Sequence, residues 1–258
     1  MAKTQLPKRV KARKDVKAIL TALLTFFASC LLTSAAQITN APGTNITNCP
    51  YDPTSVYEAR DVLGWRILVN KKLLAETNLC SQALELLQFQ LYQITRAVPA
   101  GPLQKLRGIQ IWVELNDPQF PCMCYHESID WLREHAVNPE KTGGVELANA
   151  KTFLQWTHDQ PWMVMHELAH GYHQQVLHND ARIRTCYQQA KSKGLYDSIL
   201  RNNGRHERHY AMNNEKEYFA EMTEAFFGTN DFYPFVRAEL KEHDPEMFLL
   251  LKEVWETK

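Results

Sequence analysis

The chain has 258 residues, 45% of them hydrophobic, and its 29 basic and 29 acidic side chains give a formal net charge of zero. This length and apolar content are enough for one globular domain with a buried core. Residues 1–36 hold seven basic side chains and one acidic side chain, so the remainder has 22 basic against 28 acidic residues, a net charge of −6. Such an acidic remainder argues against nucleic acid as a partner, because binding a phosphate backbone requires a basic surface.

The N-terminal segment has the pattern of a secretory signal. Residues 1–17 are strongly basic, and residues 18–36 carry no charge and end in small residues at Ser34 and Ala36. A basic region, an apolar run and small residues before a cleavage point are typical of a signal peptide. We therefore predict a signal peptide over residues 1–36 and a secreted, periplasmic or cell-surface protein. An uncleaved signal anchor is one alternative, and only then is a membrane contact expected. A lipoprotein signal ending at Cys30 is another.

Residues 37–52, "QITNAPGTNITNCPYD", are rich in Asn, Thr, Pro and Gly, which predicts a flexible leader. No internal repeat follows, so residues 53–258 are predicted to form a single domain. Export would permit disulfides, and one or two bridges that use Cys122 or Cys124 are expected among the cysteines after residue 36: Cys49, Cys80, Cys122, Cys124 and Cys186. A second metal site through Cys122, Cys124 and His126 is a weaker interpretation, because no companion Cys or His pair lies nearby.

The first half of the predicted domain alternates strands and helices. Residues 64–70 and 108–115 are rich in β-branched and aromatic residues and are predicted strands. Apolar residues at helical spacing predict a helix over 81–98 between them. Ser128 should cap a short helix over 128–136, and 143–150 is a candidate strand after a Gly-Gly turn.

The last third is predicted to be helical, over 160–178, 214–228, 234–243 and 244–256. Asp244 should cap the final helix, with Pro245 at its first position. Because strands come first and helices later, the predicted fold class is α+β, with a small mixed sheet packed on helices and a C-terminal helical part.

The helix predicted over 160–178 contains the sequence His166-Glu167-Leu168-Ala169-His170, which matches H-E-x-x-H. Residues i and i+4 project from one face of a helix, so both imidazoles can reach one Zn²⁺. Glu167 lies beside them, where it can take a proton from a zinc-bound water. So short a motif also arises by chance, and both histidines would then be ordinary residues of an amphipathic helix. A third ligand is therefore needed.

The nearest candidate for the third ligand, His173, is excluded by geometry. It lies seven residues after His166, which is a rise of about 10.5 Å along a straight helix, whereas Zn–N bonds are about 2 Å long. The metzincin arrangement, a helix break followed by a further histidine, would require Gly at position 173 and His at position 176. This chain has His173 and Val176 there, so that class is excluded.

The helix predicted over 214–228 offers three acids as the third ligand: Glu217, Glu221 and Glu224. Glu217 and Glu221 share a face, so one could bind the metal while the other bonds the far nitrogen of a zinc-bound histidine. Asn214 and Glu217 could equally form a capping box that needs no metal.

The sequence "HELAH" followed by "YAMNNEKEYFAEMTEAF" resembles the gluzincin peptidases, and most closely the catalytic domain of anthrax lethal factor and its relatives. In that family an N-E-x-E-[FY]-F-A-E pattern follows the H-E-x-x-H helix. Residues 214–221 of this chain fall on the pattern, and Glu217 lies 47 residues after His170. The resemblance covers about 65 residues, up to Phe227.

The resemblance implies a zincin-like metallopeptidase domain that binds one Zn²⁺ through His166, His170 and Glu217. It implies hydrolysis of a peptide bond by a zinc-bound water, with Glu167 as the base. Tyr210, four residues before Asn214, matches the tyrosine that the family uses to stabilise the oxyanion, although His206 and His209 lie nearby. Glu221 is then expected behind the zinc-bound histidines.

The resemblance also bears on the substrate, a peptide or protein. Zincins pair an extended peptide with an edge strand before the active-site helix, and residues 143–150, "GGVELANA", occupy that place. Asn149 and Ala150 are therefore expected to hold the substrate backbone, the alternative being a purely structural strand. Two other functions stay open: a catalytically silent binding protein with this fold, against which the intact Glu167 argues, and a zinc amidase acting on cell-wall peptides.

Overall fold

The computed structural model describes residues 50–256. The predicted signal segment and residues 37–49 of the predicted leader lie outside this range. The described residues belong to one compact unit. Among them, no helix combines the length and the apolar character needed to span a bilayer.

A five-stranded mixed sheet has the strand order β1-β2-β3-β5-β4. The strands are β1 (Tyr57–Val62), β2 (Trp65–Asn70), β3 (Ile111–Val113), β4 (Met123–Tyr125) and β5 (Val145–Leu147). β1 and β2 form an antiparallel hairpin, whose turn residues Leu63 and Gly64 have φ values of 55° and 89°, as a two-residue turn of the type I′ class requires. β2, β3 and β5 are mutually parallel, and β4 runs antiparallel to β5 along one edge.

Ten α-helices are present in the described part of the chain. They are α1 (Lys71–Ala75), α2 (Thr77–Ala97), α3 (Ala100–Arg107), α4 (Ile129–Glu134), α5 (Ala150–Trp156), α6 (Met163–Gln175), α7 (Ala181–Ser192), α8 (Glu215–Phe227), α9 (Arg237–His243) and α10 (Pro245–Trp255). Short 3-10 helices cover Thr54–Val56, Pro139–Lys141 and Tyr210–Asn213, and β6 (Ile199–Leu200) pairs with β7 (His206–Glu207).

The main core lies between one face of the sheet and the helices. α2 contributes a buried stripe at intervals of three and four residues, which is the spacing of one helix face: Cys80, Ala83, Leu87, Leu91 and Ile94. The strands contribute Ile67, Ile111 and Val145, and α6 contributes Val164 and Leu168. α6 is therefore held in the middle of the core, so its position relative to the sheet is fixed.

The structure confirms the α+β fold class and most of the predicted elements. β2, β3 and β5 lie within the predicted strands, and α2 begins four residues before the predicted helix. The side chain of Ser128 accepts from Trp131 N and caps α4, and that of Asp244 accepts from Met247 N and caps α10. The elements that were not predicted are β1, β4, β6, β7, α1, α3, α5 and α7.

The prediction of one or two disulfide bridges is not confirmed among the described cysteines. All four within residues 50–256 are unpaired: Cys80, Cys122, Cys124 and Cys186. Cys80 lies in α2 and Cys186 in α7, while the Cys122 sulfur contacts the sulfur of Met163 at 3.4 Å. None of these four thiols forms a bridge with another, and Cys49 lies outside the described residues.

The junction between the start of α6 and the end of α8 depends on Gly228. A Cβ atom at position 228 would lie 1.8 Å from a ring carbon of Trp162, which immediately precedes α6. A rigid indole cannot move aside as a flexible side chain can. Substituting Gly228→Ala should therefore lower the free energy of unfolding by about 1–3 kcal/mol or more, the usual range for overpacking. Chemical denaturation measures this, with the neighbouring exposed Thr229→Ala as control; equal losses in both variants would contradict it.

Buried His173 should make stability depend on pH. Burial, followed by the charge of His170, lowers the pKa of His173 to about 4 from 6.5. Between about pH 6.5 and pH 4 the unfolded chain binds a proton that the folded protein excludes, so the free energy of unfolding falls as the pH falls through this window. The free energy of unfolding lost across this window is roughly 3 kcal/mol.

The substitution His173→Phe, which keeps an aromatic ring beside Phe219, should flatten this part of the pH–stability curve. The measurement is denaturant unfolding with a chelator present, so that metal release does not contribute. His158→Phe, at an exposed position, is the matched control. An unchanged slope in the His173 variant would show that another group carries the dependence.

Candidate metal centre

Two helices, α6 and α8, present the candidate ligands to each other. α6 runs unbroken from Met163 to Gln175, so His166 and His170 lie one turn apart on the same face, with ring centroids 4.8 Å apart. α8 begins at Glu215, directly after Asn214. The three side chains that the sequence pattern selects, His166, His170 and Glu217, converge at this contact.

Asn214 and Glu217 form only half of a capping box. The Asn214 side chain accepts from the backbone N–H groups of Lys216 and Glu217, at 2.9 and 3.0 Å, and so caps α8. The Glu217 carboxylate turns towards His166 and His170. The cap thus fixes the first turn of α8, while the Glu217 side chain is directed at the histidines.

The three donor atoms have the spacing of a metal site. Nε2 of His166 lies 3.1 Å from Nε2 of His170 and 3.1 Å from Oε2 of Glu217. The distance from Nε2 of His170 to Oε2 of Glu217 is 3.4 Å. Zinc bonds of about 2.0–2.1 Å in tetrahedral geometry require donor atoms about 3.3 Å apart. Two imidazole nitrogens and one carboxylate oxygen are also a common ligand set of catalytic zinc. The residues present therefore fit Zn²⁺.

Of the two carboxylates behind His166, Glu224 makes the closer contact, and the predicted residue, Glu221, lies farther from the ring. Nδ1 of His166 lies 2.7 Å from Glu224 Oε1 and 3.6 Å from Glu221 Oε1. The reason is the rotation of the helix, which is about 100° per residue. Glu224, seven residues after Glu217, points within about 20° of the direction of Glu217, whereas Glu221, four residues after it, points about 40° away. Glu221 instead accepts from Asn230 Nδ2 at 2.7 Å.

The charges of these carboxylates favour a cation between the helices. Burial lowers the pKa of His166, but hydrogen bonds to Glu217 and Glu224 outweigh burial and raise it. Burial raises the pKa of Glu217, but the charge of His170 and the hydrogen bond to His166 outweigh this and hold the pKa well below its usual range. Both shifts come from the attraction between the imidazoles and the carboxylates, which favours positive charge on the side of α6 and negative charge on Glu217.

Glu167 occupies the position of a base next to the ligands. Its carboxylate accepts from the backbone N–H of Tyr125 in β4. Burial raises the pKa of this carboxyl, and the charges of His166 and His170 offset the effect only in part. The bond to Tyr125 links the active-site helix to the edge of the sheet.

Of the three residues considered for the oxyanion, Tyr210 is the one placed beside the metal ligands. Its ring centroid lies 6.4 Å from that of His166, and the side chain is 47% exposed. His209 is fully buried, stacks on Phe232 and accepts from Ala211 N at 3.1 Å, so it supports the short helix that carries Tyr210. His206 lies on the exposed strand β7.

His173 lies away from this cluster. Its ring packs 5.0 Å from that of Phe219 in α8. Within residues 50–256 it belongs to none of the side-chain groups that could hold a metal ion. Its position agrees with the helix-rise argument that excluded it as a ligand.

The prediction that residues 143–150 supply the edge strand is wrong. β5 lies inside the sheet, paired with β3 on one side and β4 on the other. Asn149 caps α5 by accepting from Thr152 N at 2.9 Å, and Ala150 is fully buried. Both residues therefore have structural roles, and the sheet edge next to β5 belongs to β4.

Residues 144–254 match the family model described as "Anthrax toxin lethal factor, N- and C-terminal domain". The matched range contains α6, α8 and all three candidate ligands. No curated protein and no solved structure gives a significant match to the chain. The chain thus resembles lethal factor relatives over the part that carries the candidate metal centre.

The contact between Glu224 and His166 predicts how zinc affinity responds to substitution. Glu224→Gln should weaken zinc binding about 10- to 100-fold, the usual effect of removing a carboxylate that orients a metal-bound histidine. Glu221→Gln should have a smaller effect, because its carboxylate is held by Asn230. Competition with a chromophoric chelator measures both affinities, and metal-free thermal unfolding controls for misfolding. A larger loss for Glu221→Gln would return the role to Glu221.

Proposed function

We propose that the chain is an exported, zinc-dependent peptidase. The observation that carries this proposal is the convergence of His166, His170 and Glu217 from two helices, with donor atoms 3.1–3.4 Å apart. Glu167 lies in the same turn of α6. Resemblance to the lethal factor family over residues 144–254 supports the same reaction class. Export rests on the basic and apolar pattern of residues 1–36.

Zinc, when bound, supplies a Lewis acid that polarises a carbonyl and lowers the pKa of water. The residues of the chain divide the other tasks. Glu167, oriented by the Tyr125 N–H, accepts a proton from the attacking water and delivers it to the leaving amine. The hydroxyl of Tyr210 donates to the developing oxyanion, which is consistent with a half-exposed side chain beside His166. Glu224 holds the imidazole of His166 in orientation through Nδ1.

The substrate in this proposal is an extended peptide paired with β4. The Cys122 carbonyl accepts from the N–H of Ala148 and the His126 N–H donates to the carbonyl of Gly144, the two residues that flank β5. The two-residue alternation of an antiparallel ladder therefore directs the backbone groups of Met123 and Tyr125 to the open edge. The Tyr125 N–H meets Glu167 there. A peptide that continues the sheet along this edge would pass directly over the base and the ligands.

Comparing two substitutions tests the enzyme hypothesis against a silent binding protein. Glu167→Gln should retain zinc but lose about 10²- to 10⁴-fold in rate, the usual contribution of a general base. Glu217→Ala should lose both zinc and activity. The measurements are metal content of the purified protein and cleavage of an unstructured protein substrate. Glu215→Gln serves as control, because Glu215 is paired with Arg184 away from the ligands.

Undiminished cleavage by the Glu167→Gln variant would contradict the proposed mechanism. Absence of zinc from the purified wild-type protein would also contradict it. Zinc binding with no hydrolysis of protein substrates would favour the silent binding protein. If protein substrates are spared but cell-wall peptides are cleaved, the function is the zinc amidase.

A further inference from the structure

A pocket of about 380 Å³ lies beside the end of β4, between the segment that follows the strand and α4. This volume is within the range of pockets that bind small ligands or single large side chains. Its walls include Phe120, Cys124, His126, Trp131 and Leu132. None of these residues has a role in the hydrolysis proposed above.

The walls of the pocket are largely aromatic and partly open to solvent. The Phe120 ring lies 5.2 Å from that of His126 in an edge-to-face arrangement and 5.9 Å from that of Trp131. Trp131 is 39% exposed, and Ile129, two residues earlier in α4, is 38% exposed. Large apolar side chains that cluster at the surface of a concave site are typical of a binding surface.

The deep end of the pocket presents no free charge. His126 Nε2 lies 2.5 Å from Glu146 Oε2, and the other oxygen of Glu146 accepts from Lys141 Nζ at 2.6 Å. Lys141 also donates to Glu114 at 2.8 Å, so each buried charge has a partner. Although Cys124, His126 and Glu146 lie close enough to hold a metal ion, the Lys141 ammonium on Glu146 opposes a second cation there. An apolar group is therefore the suitable occupant.

The register of β4 connects this pocket to the active site. Side chains alternate between the two faces of a sheet, so Cys124 and His126 face the side opposite to that of Tyr125. Directly opposed residues of paired strands project their side chains to the same face. A peptide residue paired with Cys124 or His126 would thus project into the pocket, while the Tyr125 N–H next to it holds Glu167.

We propose that this pocket is a specificity site, which binds a large apolar side chain, preferentially aromatic, of the peptide substrate close to the scissile bond. The proposal rests on the proposed function, because it needs a peptide on β4. The aromatic walls provide edge-to-face contacts for a further ring. The neutral deep end selects against charged side chains, because the carboxylate that lines the pocket, Glu127, is already paired with Lys216.

The test is a cleavage profile on a peptide library, followed by paired substrates that differ only at the selected position. Wild type should prefer aromatic residues at one position within three residues of the scissile bond. Trp131→Ala should reduce the ratio of kcat/KM for the Phe peptide over the Ala peptide about 10-fold or more. Phe120→Ala should act in the same direction. Trp156→Ala, with similar exposure at 37% in α5, should leave the ratio unchanged.

Binding separates this inference from the proposed function. The Kd values of the zinc-loaded Glu167→Gln variant are measured for peptide pools with Phe or Ala at a fixed position. Tighter binding of the Phe pool, lost on adding Trp131→Ala, supports the pocket even if wild type cleaves nothing, in which case only the proposed function fails. Cleavage without an aromatic preference, a preference that survives both pocket substitutions, or equal binding of the pools would overturn the inference.

Discussion

The contact between α6 and α8 is the constraint on which the chemistry of this protein depends. It places several carboxylates of α8 against two histidines of α6, and Nε2 of His166 and Nδ1 of the same ring each meet a different acid, Glu217 and Glu224. Packing so much negative charge into a partly buried space is unfavourable unless positive charge accompanies it. A divalent cation held by His166, His170 and Glu217 would meet that requirement, and the close fit of Trp162 over Gly228 holds the ends of the two helices together.

In the proposed function, the edge strand β4 extends this arrangement into a place for substrate. Its backbone reaches Glu167 through the N–H of Tyr125. The same strand would therefore position both a peptide added to the sheet and the base on α6. The same strand then leads into the aromatic pocket formed with α4. In this proposal, catalytic geometry and side-chain selection are both set by where a strand of three residues lies in the sheet.

Much of the fold could be predicted because its signals are local. The apolar stripe of α2 and the caps Ser128 and Asp244 are patterns of neighbouring residues, and the structure has them where the patterns indicate. β1 escaped prediction because its residues are mostly exposed and lack the apolar alternation of a half-buried strand. The edge position of β4 could not be predicted from its own sequence, since the order of strands is decided by how the whole sheet assembles.

The amino-acid sequence by itself determined the metal-binding helix: four residues make little more than one turn, so His166 and His170 must share a face and His173 must lie too far along the axis. It also limited the third ligand to the acids of one later helix. Only the tertiary structure decided that Glu217 faces these histidines while Glu224, and not Glu221, supports His166, because that choice depends on how α8 is rotated against α6. It likewise decided that the strand before Asn149 and Ala150 lies inside the sheet and not at its edge, because a strand's place in a sheet is a property of its partners and not of its own residues.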